Sequence, residues 1–254
     1  MPGRAKVRVG SIDALALESA VTHAPPALRE RSEYLVDLLW EAGCVANEIV
    51  RRPGARVPDV VCSLPGRTPY RIVVLAHMDR EVDASGVPRH WRGTALLPFL
   101  YQALGVEERE HSFQFAAFGS STSRRFLDDP PRFDRIRGAE IRVIVEVVDL
   151  GPETIGFWSS DPGLSQDFLA STLAVGRPLD GLRRLERHRL RPHRIPTIAI
   201  ISPTDAGLPA VGAPRAAEAN PYHSAARLLA VYLGYLDETL KQRAEAPRPD
   251  PRAR

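Results

Sequence analysis

Short apolar runs alternate with amphipathic segments along most of the chain, and this alternation constrains the fold more than any other feature of the sequence. The runs at 71–76 (RIVVLA) and 195–201 (IPTIAII) are almost entirely apolar, which is typical of strands buried on both faces. Residues 27–42 place their leucines on one helical stripe, and Gly43 follows as a natural stop. The sequence therefore predicts a single α/β domain, a three-layer α/β/α sandwich with a mostly parallel central sheet.

The length of 254 residues and the 44% of hydrophobic residues are enough for one substantial core. We expect the domain to span 1–243 and residues 244–254 to form a disordered tail, because that segment is rich in proline and arginine. No apolar window reaches the length of a membrane span, and the N-terminus lacks the apolar stretch of a signal peptide, so a cytoplasmic location is expected. Cys44 and Cys62 are too few for a disulfide framework and are expected in the core.

The formal net charge is +3, and nearly all of the basic residues are arginines. The densest arginine cluster lies at 181–196 and lacks interleaved aromatic residues, so it favours a solvated basic face over a nucleic-acid site. Nucleic acid is therefore not an expected partner, although binding of an anionic partner by these arginines is kept as a third alternative.

Polar residues follow several of the apolar runs, where ligands of a parallel sheet bind. These residues are His77, Asp79, Ser120, Ser121, Thr122 and Asp149, and His223 precedes the last predicted helix. A His-X-Asp pair at a strand end suits a metal ligand, because a carboxylate can hold the imidazole in its ligating tautomer. For a lone histidine at a strand end, a hydrogen bond to a nearby loop is the favoured explanation. Three such residues at three separate strand or helix ends favour a real or former site instead.

The order of these motifs resembles the zinc-dependent aminopeptidase family that also includes the glutaminyl cyclases. The segments YLVDLLWEAG, DVVCSLPG, VVLAHMD, GVPRHWRGTALL, FAAFGSSTS, VVDLG and NPYHS carry the resemblance, collinearly over roughly residues 20–240. The resemblance implies a zinc-aminopeptidase-like fold. It also implies that His77, Asp149 and His223 stand where the family has metal ligands, with Asp79 where the family has a carboxylate behind a ligand.

The sequence departs from the family at its acidic site residues. Pro88 or Arg89, depending on the register, replaces the aspartate that bridges two metals, and the family's adjacent glutamates are replaced within 120–122. The three ligands that remain are divided between the two metal positions, so neither position keeps three protein ligands. One of the missing glutamates is the family's general base, the group that would activate water.

These departures lead to our main hypothesis, a catalytically inactive homologue that serves as a binding or structural protein, without a cofactor and with a protein or peptide partner. The alternative is a hydrolase that acts on peptide N-termini or another amide through a rebuilt, mononuclear metal site. His90 could join two histidines and an aspartate in such a site. A Ser–His–Asp site is less favoured, because GSSTS lacks the G-x-S-x-G pattern of a nucleophile elbow.

Two further expectations concern the cleft. His77 should bond Asp79 or another local carboxylate with no ion beside it. In the loop that carries Arg89, His90 and Arg92, one arginine should enter the cleft and pair with Asp149 or Asp79 through charge-assisted hydrogen bonds. The alternative is that both arginines point to solvent, as long side chains on loops commonly do.

Overall fold

The computed structural model describes residues 7–45, 49–52, 59–78, 90–119, 141–150, 155–176, 182–185, 195–201 and 221–245. Its helices are α1 (Ala14–Thr22), α2 (Leu28–Glu41), α3 (Trp91–Leu104), α4 (Pro162–Ala174) and α5 (Pro221–Glu245). Its strands are β1 (Val50–Arg52), β2 (Asp59–Leu64), β3 (Gly66–His77), β4 (Arg109–Phe118), β5 (Ile141–Asp149), β6 (Ile155–Ser159), β7 (Leu182–Arg184) and β8 (Thr197–Ile201).

The strands of the described segments form one eight-stranded sheet in the order β1-β2-β4-β3-β5-β8-β6-β7. The four central strands β4, β3, β5 and β8 are parallel. β2 joins β4 and β6 joins β8 in antiparallel pairs, while β7 is parallel to β6. The predicted α/β fold with a mostly parallel central sheet is confirmed.

Both faces of the central strands are buried. On one face of β3, Ile72, Val74 and Ala76 belong to a continuous core that includes side chains from all five described helices. On the opposite face, Val73 and Leu75 are buried as well, at 1% and 0% exposure. Strands that bury both faces read as continuous apolar runs, which is why the sequence identified them. A sheet buried in this way is the middle layer of the expected three-layer sandwich.

The start of α3 is fixed tightly against the sheet and the neighbouring helices. A Cβ atom at Gly93 would lie 2.6 Å from the carbonyl oxygen of Val147, so only glycine permits this approach to β5. The indole Nε1 of the fully buried Trp91 donates to the carbonyl oxygen of Ala20 at 2.9 Å. Tyr34 of α2 stacks on the Trp91 ring with centroids 6.0 Å apart. These contacts place the first turn of α3 beside the carboxyl ends of β3 and β5.

The two cysteines form a disulfide bond, which the sequence analysis did not foresee. Cys44 follows a turn at the end of α2, in which Gly43 takes a positive φ of 95°, and Cys62 lies in β2. Their expected burial is correct, with exposures of 1% and 0%. Spacing could not reveal the bond, because it depends on how the turn after α2 brings Cys44 against the sheet.

The last described helix extends past the predicted start of the tail. α5 runs to Glu245, so it includes the first two residues of the predicted tail, and residues 246–254 lie outside the described segments.

Within the described residues, none of the helices combines the length and the apolar character that crossing a membrane requires.

Candidate functional site at the ends of the central strands

A histidine–carboxylate pair lies at the carboxyl end of the central sheet. His77 is the last residue of β3, and its Nε2 lies 2.9 Å from Oε1 of Glu146, with which it is hydrogen-bonded. The two side chains are 14% and 5% exposed, so Glu146 is buried while His77 retains some access to solvent. The pair couples neighbouring strands, because β3 and β5 are adjacent and parallel.

The register of the sheet explains why Glu146 needs this partner. Glu146 lies opposite Leu75 on β3 and opposite Ala199 on β8, and both of these residues are fully buried. A carboxylate in such apolar surroundings costs several kcal/mol unless it is paired. The hydrogen bond between the His77 imidazole and Oε1 of Glu146 offsets part of this cost. The second oxygen, Oε2, is buried and has no hydrogen-bond partner among the described residues.

Neighbouring elements hold His77 in place. The Thr94 hydroxyl in α3 donates to the carbonyl oxygen of His77 at 2.8 Å. The backbone N–H of Met78 donates to the carbonyl oxygen of Phe118 at 2.8 Å, which ties the end of β3 to the end of β4. The His77 ring centroid lies 6.1 Å from those of both Phe118 and His90. The imidazole is therefore positioned between α3 and β4 rather than on a free loop.

Of the predicted site residues, the structure brings His77 and His90 together. Arg92 lies in the first turn of α3 and His223 in the first turn of α5, and both are partly buried. The backbone of Asp149 closes β5 opposite Ile201. Five predicted site residues lie outside the described segments: Asp79, Arg89, Ser120, Ser121 and Thr122. The expected pairing of Arg89 or Arg92 with Asp149 or Asp79 therefore stays a prediction.

Glu146 is the site residue that the sequence analysis missed. We expected Asp79, two residues after His77, as the first candidate partner, whereas the observed partner lies 69 positions away in sequence. One signal could have found it: Glu146 is the one charged residue inside the otherwise apolar stretch VIVEVV at 143–148. A charge inside a strand that is buried on both faces requires a nearby partner.

The aminopeptidase resemblance raises the question of whether these residues fit zinc. Protein zinc sites use three or four protein ligands. Among the residues that the structure describes, no group of three histidine, cysteine, aspartate or glutamate side chains is placed to hold one ion. His77, which the resemblance alone assigns to a family ligand position, is hydrogen-bonded through Nε2 to Glu146. The described donors therefore do not fit a three-ligand zinc site.

Comparison with known proteins identifies the fold. No protein-family model and no curated protein sequence matches the chain. The Fimbriiglobus ruber glutaminyl cyclase superposes with a TM-score of 0.65 at 12% identity, covering 92% of this chain and 99% of that one. The Legionella pneumophila LapA aminopeptidase gives 0.64 at 11% identity, with coverages of 88% and 70%. The Porphyromonas gingivalis glutaminyl cyclase gives 0.63 at 16% identity, with coverages of 90% and 99%. The chain therefore has the α/β fold that zinc-dependent aminopeptidases and glutaminyl cyclases share.

Proposed function

We propose that this protein is a catalytically inactive relative of the zinc aminopeptidases that serves as a binding or structural protein. The observation that carries the proposal is the His77–Glu146 pair. The imidazole at a family ligand position is hydrogen-bonded to a buried carboxylate on the neighbouring strand. With Nε2 bonded to Glu146, Nδ1 of His77 is the nitrogen left for a metal, and among the described residues no group of three histidine, cysteine, aspartate or glutamate side chains is placed to hold an ion.

The residues that the sequence substitutes support the same conclusion. Two divalent ions bring four positive charges, which the family neutralises with carboxylates. At those positions this chain has Pro88 or Arg89 and the hydroxyl residues of 120–122, so Asp149 is the one family carboxylate left to contact a metal. The glutamate that activates water in the family has no counterpart here.

The architecture around the cleft has been kept while these catalytic groups have been lost. The close approach of α3 to β5 at Gly93 and the anchoring of Trp91 preserve the rim of the sheet. A preserved rim without the family's acidic residues favours recognition over chemistry, and a protein or peptide is the partner that we propose for it.

The proposal is tested by elemental analysis of the purified protein together with a panel of aminoacyl and N-terminal glutaminyl substrates, with and without added zinc. We expect neither stoichiometric zinc nor turnover. His77→Ala is the test variant, and His23→Ala, at the exposed histidine that directly follows α1, is the matched control. Stoichiometric zinc together with turnover that His77→Ala abolishes and His23→Ala preserves would overturn the proposal.

One observation favours the alternative, a hydrolase with a rebuilt site. Glu146 keeps an oxygen that no described residue bonds, and the His90 ring lies near the partly exposed His77. In that case Glu146→Gln should remove most of the turnover against an amide substrate while the fold is retained. If the turnover is negligible in the parent and does not change in this variant, the alternative is excluded.

A further inference from the structure

The disulfide bond uses the whole cysteine content of the chain, because Cys44 and Cys62 are its only two cysteines. We infer that the protein matures in an oxidising compartment and that this bond is required for the stability of the sheet edge. Disulfides persist in oxidising compartments, whereas cytosolic thiol pools keep cysteines reduced. The inference replaces the cytoplasmic location that the sequence favoured, and it is independent of the proposed function.

The bond joins the turn after α2 to strand β2. Cys44 follows α2, and Cys62 lies opposite Phe115 of β4 within the sheet. The loop that the bond closes has a sequence separation of 18 and contains β1, the three-residue strand at the edge of the sheet. β1 pairs with β2 through Val61, Val60 and Asp59, the three residues directly before Cys62. The bond therefore fixes the edge strand together with the helix that precedes it.

The chemistry that forms the bond is a thiol–disulfide exchange. A small disulfide, such as oxidised glutathione, accepts two electrons and two protons from the two thiols and leaves as two thiols. The sulfur atoms of the folded protein belong to residues with at most 1% exposure. A reducing thiol can attack the bond only after a local opening of α2 or β2, so the bond should resist reductant in the native protein.

In the first test, the full-length protein is directed to the oxidising periplasm of a bacterial host, and its free thiols are counted. Denatured protein should show no free thiols before reduction and two afterwards, measured with a thiol-reactive probe. Two free thiols before reduction would overturn the inference, whatever the stability of any variant.

The second test separates a bond from two independent core thiols. Cys44→Ala, Cys62→Ala and the double variant each remove the same bond, so all three should lower Tm by a similar amount, about 5–10 °C for a loop of this length. Ser63→Ala, at the next position in β2, is the matched control and should melt close to the parent. Losses that add in the double variant would mean that the two side chains contribute separately, and would overturn the inference.

Discussion

Two histidine–carboxylate pairs lie at different places in this sheet and differ in how completely they are satisfied. His77 and Glu146 meet at the carboxyl end of β3, with Nε2 and Oε1 2.9 Å apart. His111, near the start of β4, places Nδ1 2.8 Å from Oδ1 of Asp237 on α5. The side chains of the second pair are 4% and 2% exposed, against 14% and 5% for the first.

The difference lies in the second oxygen of each carboxylate. Asp237 also accepts from the backbone N–H groups of His111 at 2.8 Å and Glu110 at 3.1 Å, so both of its oxygens are used. Glu146 has no described partner for Oε2. A pair with every acceptor filled joins a helix to a strand and has no capacity left for a ligand. Unused hydrogen-bonding capacity at a partly exposed position, rather than pairing itself, therefore distinguishes the candidate site from a structural link.

The largest effect should follow from removing the saturated carboxylate. Asp237→Ala removes the acceptor of three hydrogen bonds and leaves buried donors unpaired, so it should lower the free energy of unfolding by about 3–5 kcal/mol. Denaturant unfolding measures the loss, and Glu238→Ala, at the next position in α5, is the control. A loss below about 1 kcal/mol would mean that Asp237 is not a structural link and would remove the contrast with Glu146.

The next effect tests the helix that holds the candidate site. Gly93→Ala places a Cβ within 2.6 Å of the Val147 carbonyl oxygen, so α3 must shift away from β5, at a cost of about 1–3 kcal/mol. Gly105→Ala is the matched control at the end of the same helix, where the closest atom to an added Cβ is 3.3 Å away and φ is −73°. Equal unfolding free energies for the Gly93 and Gly105 variants would contradict the tight packing of α3 on the sheet.

A smaller effect is expected from the unsaturated carboxylate. Glu146→Leu loses one hydrogen bond to His77, but it also removes a buried oxygen without a described partner from a position between Leu75 and Ala199. The lost hydrogen bond destabilises the fold, whereas the removal of the unpaired buried oxygen stabilises it. The free energy of unfolding should therefore change by about 1 kcal/mol or less. Denaturant unfolding of this variant beside Asp237→Leu gives the comparison directly. A loss above about 3 kcal/mol would show that Glu146 is as structural as Asp237.

The sequence predicted the sheet well because the physics of its strands is local. After Arg71, the run RIVVLA is apolar at every position because both faces of β3 are buried there, and His77 follows at the point where β3 ends. The position of His77 at the carboxyl end of a central strand therefore followed from the sequence.

The partners of these side chains could not be predicted in the same way. Glu146 meets His77 only in the register that β3 and β5 adopt, and periodicity does not determine register. Asp237 and His111 are 126 positions apart, and the Cys44–Cys62 bond depends on a turn after a helix. Each of these contacts depends on tertiary packing, whereas the pattern of a single sequence reports mainly local structure.

The smallest effect concerns a third buried carboxylate, one whose partner is a cation. Asp167 in α4 accepts from Arg243 Nη2 at 2.8 Å and from the Thr239 hydroxyl at 3.2 Å. Burial is the largest influence and raises the pKa of Asp167 above its ordinary 3.8, although Arg243 and Thr239 act in the opposite direction. Because folding favours the protonated form, the stability that this group contributes is complete below pH 3.8 and is lost as the pH rises through the raised pKa.

Asp167→Asn carries no titrating group at this position and should not show that loss. The unfolding free energy of the parent minus that of the variant should therefore decrease as the pH rises from about 3.5 to 6. Chemical denaturation at several pH values measures the difference, and Glu33→Gln, at an exposed position on α2, is the control. A difference that grows with pH would mean that the ion pair with Arg243 outweighs burial. Asp167 would then be stabilised as a charged group, unlike Glu146, whose described partner is a histidine and whose second oxygen has none among the described residues.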